Sequence, residues 1–345
     1  MPKKLILLHK VLIICFLATL TSCTDNVHVK DLSNIELGMS VNRFEQALFE
    51  CNSVDDVAQL ATQYPTFYTT YTQSIVAPNV QTPDGNAEDV EVNLYKYIAD
   101  KDMYRLYEKT QEVFGNFQEQ KKGLNNLAKY IQSYFPAEKI ENTTTFISTL
   151  RYGSAYDAVD KQFLVGLDLY LGSDFEVYSL IDPQNFPVYR VKKFEPYRVV
   201  PNCAQTFANY IVKEHPSSNF MEQAIYEGKK LYLMDLLLPE YHDSLKINYL
   251  AGQLEWAQEK ESDMWTYLIE KEILFSTDKN EYQKHYFNDA PFTTPFQNGS
   301  SPRVGAWFGW QIVREYMDKN PSITIQDLIA DKNHQAIFQK SGYRP

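Results

Sequence analysis

Val199-Val-Pro-Asn-Cys-Ala-Gln-Thr-Phe-Ala-Asn-Tyr-Ile-Val212 and Asn219-Phe-Met-Glu-Gln-Ala-Ile-Tyr-Glu-Gly-Lys-Lys-Leu-Tyr-Leu-Met-Asp-Leu-Leu-Leu-Pro239 read as two consecutive helices. Asn219 supplies an N-cap for the second, with Glu222 at the capping-box position, and Pro239 stops it. The first helix holds no His. The six His of the chain are His9, His28, His215, His242, His285 and His334, and no two lie within four positions of each other. The second helix holds the pair Glu227-Gly228. What these two helices carry, and lack, decides the reading of the rest.

The pair resembles the metal-binding half of a gluzincin-type zinc peptidase. There, one helix carries His-Glu-x-x-His and a later helix adds a Glu, often followed by Gly. Two His at i and i+4 share a helix face, which is why that spacing holds a metal. Glu227-Gly228 matches the later half, and the His pair is missing. Asn202, Cys203 and Asn209 stand where ligands are expected, but an amide is a poor zinc ligand and one thiolate does not hold the ion alone. The resemblance therefore implies a mostly helical α+β chain, a degenerate zincin-like fold with a small antiparallel sheet. It implies no catalytic residue, no metal and no cofactor. Glu227 is then vestigial, held by a hydrogen bond or by Lys229. The competing reading assembles an unorthodox metal site from Glu227, His215 and His242.

The N-terminus is an address. Lys3 and Lys4 precede an apolar run from Leu5 to Leu20, too short for a comfortable membrane span. The run ends in Leu20-Thr21-Ser22-Cys23, the bacterial lipoprotein pattern. Cleavage before Cys23 and acylation there give an anchor of several chains, which is stable where one chain is marginal. An ordinary secretory signal with a chance Cys is the alternative. Residues 1–22 are thus read as signal peptide and 23–37 as a tether. Of the four Cys, Cys51 and Cys203 remain, and in an oxidising compartment they either pair or stay as buried thiols.

The net charge is −11, and removal of Lys3, Lys4 and Lys10 makes it about −14. An acidic surface argues against nucleic acid and against docking on anionic lipid through a basic patch. Hydrophobic residues make up 44% of the chain and charged ones 22%, which suits a folded core and not a disordered chain.

Residues 38–140 read as a helical N-terminal region. Phe44, Ala47, Leu48 and Cys51 follow helical spacing from Ser40 onward. Ser53 caps a second helix. Phe67, Tyr68, Tyr71 and Ile75 form an aromatic stripe, either a core face or a platform for glycan. Proline, glycine and acids make Pro78–Asp89 a surface loop, and helices resume to Tyr134. Residues 141–345 form the α+β region. β-Branched Thr144–Leu150, then Ala155–Val159 and Phe163–Leu171, predict three antiparallel strands. Residues Leu245–Leu274 continue helical. Arg303 precedes a strong helix in which Gly305 and Gly309 share a face that permits close packing. Arg303 either binds a carboxylate or closes a buried ion pair. There is no Gly-x-Ser-x-Gly, phosphate loop or Gly-x-Gly-x-x-Gly.

The order of features along the mature chain resembles the gliding-motility lipoprotein B family. It is carried by the lipobox at Cys23, Arg43-Phe44-Glu-Gln-Ala-Leu-Phe49 and Tyr64-Pro-Thr-Phe-Tyr68. Phe163-Leu-Val-Gly-Leu-Asp-Leu-Tyr-Leu-Gly172, Ala224-Ile-Tyr-Glu-Gly-Lys-Lys230 and Pro302-Arg-Val-Gly-Ala-Trp-Phe-Gly-Trp-Gln-Ile-Val313 complete it. The resemblance implies a non-catalytic lipoprotein of the gliding machinery and its associated secretion system. Its partners would be other proteins of that apparatus, and its site the outer membrane. The alternative is a surface lipoprotein that captures glycan or another nutrient. An active metallopeptidase ranks below both.

Overall fold

Thr143, Thr144 and Thr145 are buried on both faces of their strand, and so are all five residues of Gln162–Gly166. A strand covered on both sides is the pattern of a central, parallel position, not of a half-solvated antiparallel one. The computed structural model describes residues 30–81, 90–213, 217–297 and 299–345, and it places these two strands at the centre of a four-stranded sheet. The strands are β1 (Ser40–Arg43), β2 (Asn142–Phe146), β3 (Ser154–Asp157) and β4 (Gln162–Gly166), in the order β1-β2-β4-β3. β1 runs parallel to β2 and β2 parallel to β4; only β3 is antiparallel, paired to β4 with Ser154 opposite Val165. The sheet is therefore mixed, which corrects the expectation of an antiparallel one. Ser40–Arg43, expected to open a helix, is instead an edge strand. Leu167–Leu169, expected to continue β4, is a 3-10 turn.

Helices make up the rest of the layer structure. α1 (Phe44–Phe49), α2 (Val54–Gln63), α3 (Pro65–Thr70), α4 (Val90–Ala99), α5 (Lys101–Phe114) and α6 (Gln118–Tyr134) come from the first part of the chain. Ser53 caps α2 as its sequence implies, accepting from the Asp56 N–H at 3.1 Å. The aromatic stripe is core: Phe67, Tyr68, Tyr71 and Ile75 are all buried. Phe44 packs edge-on against Phe67 and Tyr71, and the Tyr71 hydroxyl donates to the Ile147 carbonyl at 2.9 Å.

The two deciding helices are α7 (Val199–Ile211) and α8 (Phe220–Leu237), with Asn219 capping α8 as expected. The stretch Leu245–Leu274, expected to be helical, is divided among the short turn Asp243–Lys246, α9 (Gln253–Glu259) and α10 (Glu261–Glu270). Asn248 at φ 61° and Gly252 at φ 80° interrupt it, because the left-handed region does not continue a right-handed helix. α11 (Val304–Lys319), α12 (Ile325–Ala330) and α13 (His334–Ser341) close the chain.

α8 and α11 cross backbone to backbone. A Cβ on Gly228 would stand 2.1 Å from the Gly309 carbonyl oxygen, and one on Gly309 would stand 1.7 Å from that of Ala224. Gly309 thus packs as its spacing implied, whereas Gly305 lies against the Phe287 ring. Gly228 belongs to this crossing, whose close backbone approach leaves no room for a side chain at that position.

One buried apolar cluster extends from Leu37 to Tyr343, and Leu32 and Ile35 pack against its edge. Through β1, the first part of the chain completes the sheet of the second. No helix among the described residues is long and apolar enough to cross a membrane.

Candidate functional site

α7 lies beneath β3, where the Tyr156 ring packs against Phe207 and Tyr210 at centroid distances of 5.2 and 5.0 Å. This contact fixes the rotation of α7. Asn202, Gln205 and Asn209, spaced i, i+3 and i+7, then fall on one face. They line a cavity of about 230 Å³ together with Glu227 and Lys230 of α8 and Arg303 just before α11. Gln205 stands four residues before Asn209 with its amide nitrogen 3.4 Å from the Asn209 amide oxygen. The sequence reading singled out Asn209 but not Gln205; the i, i+4 spacing was the available signal. Cys203, also singled out, faces elsewhere. It is fully buried, and burial pushes its thiol up to about 12. Cys51 and Cys203 are both free thiols.

The two vestigial candidates meet. The Glu227 carboxylate accepts from Lys230 Nζ at 2.7 Å and lies 3.6 Å from the Arg303 guanidinium. Arg303 also donates to the Ile247 carbonyl at 3.0 Å. It sits at φ 55°, a left-handed conformation at the mouth of α11. All three side chains are mostly buried. Lys229, expected beside Glu227, is not its partner. Positions 227 and 230 share a helix face and 229 does not, so Lys229 instead reaches the Asp331 carbonyl. Burial draws its ammonium down to about 8.

Of the competing metal set, His242 lines a different cavity from Glu227, with Asp235, Asp243 and Arg314, and bonds Ser244 through Nδ1 at 2.8 Å. His215 and Cys23 lie outside the described residues. Among the described residues no group of three or more His, Cys, Asp or Glu is placed to hold a metal.

A second cavity, of about 300 Å³, adjoins the first and shares Asn202, Gln205 and Asn248 with it. Gly153 and Ser154 of the β3 end form one wall, and Arg190, Lys193 and Asp289 another. Tyr170 ties the walls together: its hydroxyl lies 2.8 Å from Ser154 Oγ and accepts from the Asn202 amide at 2.9 Å. Lys193 pairs with Asp289 at 2.7 Å, and burial lowers its pKa against that carboxylate's pull. The joint groove carries Arg190, Lys193, Lys230 and Arg303 against Glu227 and Asp289, while Lys246 on its border is paired with Asp235 and Asp243 at 3.0 Å each. It is cationic in a chain whose net charge is −11. Such a groove is equipped to hold carboxylates and the polar groups of an extended backbone.

No curated protein and no solved structure matches this chain. The family model described as "Gliding motility protein GldB" matches residues 25–345, nearly the whole chain. On that match, the protein whose Glu227 and Arg303 meet at this groove belongs to the gliding motility protein GldB family.

Proposed function

We propose that this protein is a lipid-anchored, non-catalytic component of the gliding and associated secretion machinery, held to the outer membrane by acyl chains on Cys23 and acting by binding a protein partner through the groove between α7, α8 and β3. The observation that carries this reading is the occupation of Glu227. A carboxylate paired to Lys230 at 2.7 Å and faced by Arg303 is already neutralised by cations, which repel a metal ion. Its neighbours across the cavity, Gln205 and Asn209, are amides, a set that suits hydrogen bonding to a peptide and not zinc. The zincin-like reading of the scaffold rests on the sequence of the two helices, where Glu227-Gly228 stands without a His pair. The glycan alternative loses its aromatic platform, since the stripe from Phe67 to Ile75 is core.

The test uses full-length chain extracted from membranes in mild detergent. Zinc per chain is expected to be far below one, with no hydrolysis of peptides. Near one zinc per chain, removed by chelator and lost in Glu227→Gln, would overturn the non-catalytic reading. The same preparation tests the anchor: Cys23→Ala is expected to move to the soluble fraction, and its retention in membranes would count against acylation there.

A further inference from the structure

β3 is the last strand of the sheet, and among the described residues no backbone hydrogen bond reaches its outer edge. The Gly166 N–H donates to the Gly153 carbonyl at 2.6 Å, and the register continues with Ser154 opposite Val165. In an antiparallel ladder, bonded and non-bonded pairs alternate. Gly153, Ala155 and Asp157 therefore turn their backbone groups toward β4, and Ser154 and Tyr156 turn theirs outward. The register leaves those outward groups aimed where a fifth strand would lie. The Ser154 end of that edge forms a wall of the groove.

The groove's charge says what kind of strand would fit. Arg303 spends one N–H on Ile247 and lies 3.6 Å from Glu227, longer than a hydrogen bond. A guanidinium has five N–H donors, so most of its capacity is uncommitted. Glu227 itself marks where a carboxylate sits between Lys230 and Arg303. Arg190, at the other end, bonds only the Asn185 carbonyl among the described residues, at 3.3 Å. Arginine placed beside an open strand edge reads acidic side chains or a chain end, while the edge supplies sequence-independent affinity.

We infer that the partner engages this protein as an extended acidic segment, which adds as a fifth strand to the free edge of β3 and lays a carboxylate against Arg303 and Lys230. The inference rests on the partner-binding reading and deepens it.

The probe is a fluorescein-labelled peptide of about ten residues, the length of a long strand, alternating Thr or Val with Glu and amidated at its C-terminus. It is titrated against the full-length chain in detergent. Its all-Gln counterpart is expected to bind about tenfold more weakly, as is a form with N-methylated backbone on one edge, each losing on the order of one charge-assisted or ladder contact. Arg303→Ala is expected to weaken the Glu peptide by a similar factor. Glu227→Gln is expected to tighten it, because the internal competitor for Lys230 and Arg303 is gone; a merely structural Glu227 gives no such gain. The Gln peptide with a free C-terminus distinguishes the source of the carboxylate: recovery of tight binding assigns it to a chain end, and no recovery assigns it to side chains. Equal binding of the Glu and Gln peptides, indifference to N-methylation, or no binding of the Glu peptide at millimolar concentration overturns the inference. Cleavage of the peptides, read by mass spectrometry, or stoichiometric zinc overturns the non-catalytic reading instead, so the two fail separately.

Discussion

Asp168 is fully buried, and its carboxylate organises the loop that launches β3. Both oxygens accept the Ser148 N–H at 3.0 Å, one accepts the Leu150 N–H at 2.5 Å, and Ser148 Oγ donates at 3.1 Å. Between them Thr149 and Leu150 sit at φ 56° and 61°, a conformation that L-residues adopt only when held. Burial pushes the Asp168 pKa up to about 6, and the N–H donors pull against it. Asp168→Asn turns an amide NH2 toward donors that need an acceptor. It is expected to cost about 1–3 kcal/mol at pH 7, measured by urea unfolding. The sign of the pH dependence is also fixed. A carboxyl whose folded pKa is raised takes its proton earlier in the folded state than in the unfolded one. Its contribution is full below the ordinary value of 3.8 and is lost as pH rises through about 6. The Asn variant is expected to lack that slope, and an unchanged profile would remove Asp168 as its source. None of this loop was legible in the sequence, because one Asp among many gives no sign of being buried. Glu227 and Arg303 were legible, the first by its Gly and the second by its place before a helix. Choosing Lys229 over Lys230 was an error of helical phase, and the i, i+3 spacing already favoured Lys230.

At the scale of elements, the crossing of α8 and α11 holds Glu227 and Arg303 in one place. The groove depends on it, since α8 carries one partner and the loop before α11 the other. Ala at Gly228 or Gly309 puts a methyl into a backbone carbonyl of the opposite helix, and neither backbone is free to yield. Each is expected to cost about 3 kcal/mol, the upper part of the overpacking range, with loss of acidic-peptide binding in whatever fraction still folds. Gly38→Ala is the control, because nothing lies within 4 Å of the added carbon. Equal effects at all three positions would show that helix packing is not the cause. The long helices were legible because period and caps agree, as at Ser53 and Asn219. The strand directions were not. β2 pairs with β1 from a hundred residues earlier and with β4 across β3, and no local pattern records a partner that distant. Only the two-sided burial of β2 and β4 explains the order, and burial is a property of the assembled layers.

For the whole molecule, the question is whether the helical first part and the α+β second part unfold together. β1 supplies the outer parallel strand to a sheet whose other three strands come after residue 141. The buried cluster runs through both parts. Removing one part would expose β2 along an edge and strip apolar surface from the other, so the free energies of the two are coupled. The sequence contains a built-in reporter for this. All four Trp (Trp256, Trp265, Trp307 and Trp310) lie in the second part, while the helices α1 to α6 lie in the first. Tryptophan fluorescence therefore follows the second part alone, and far-ultraviolet circular dichroism follows both. Coincident urea transitions from the two signals are expected, the signature of a single cooperative unit. A dichroism transition that begins at lower urea than the fluorescence change would mean that α1 to α6 melt first. In that case β1 leaves the sheet early, and the groove on the opposite edge, at β3, would survive in a partly unfolded chain. Coincidence carries the stronger consequence. The edge that is open at β3 is then braced by a sheet that reaches back to Ser40. A substitution in the first part, such as one that breaks the buried Arg43–Glu45–Thr145 contacts of 2.6 Å each, is expected to weaken acidic-peptide binding only at urea concentrations where fluorescence also changes.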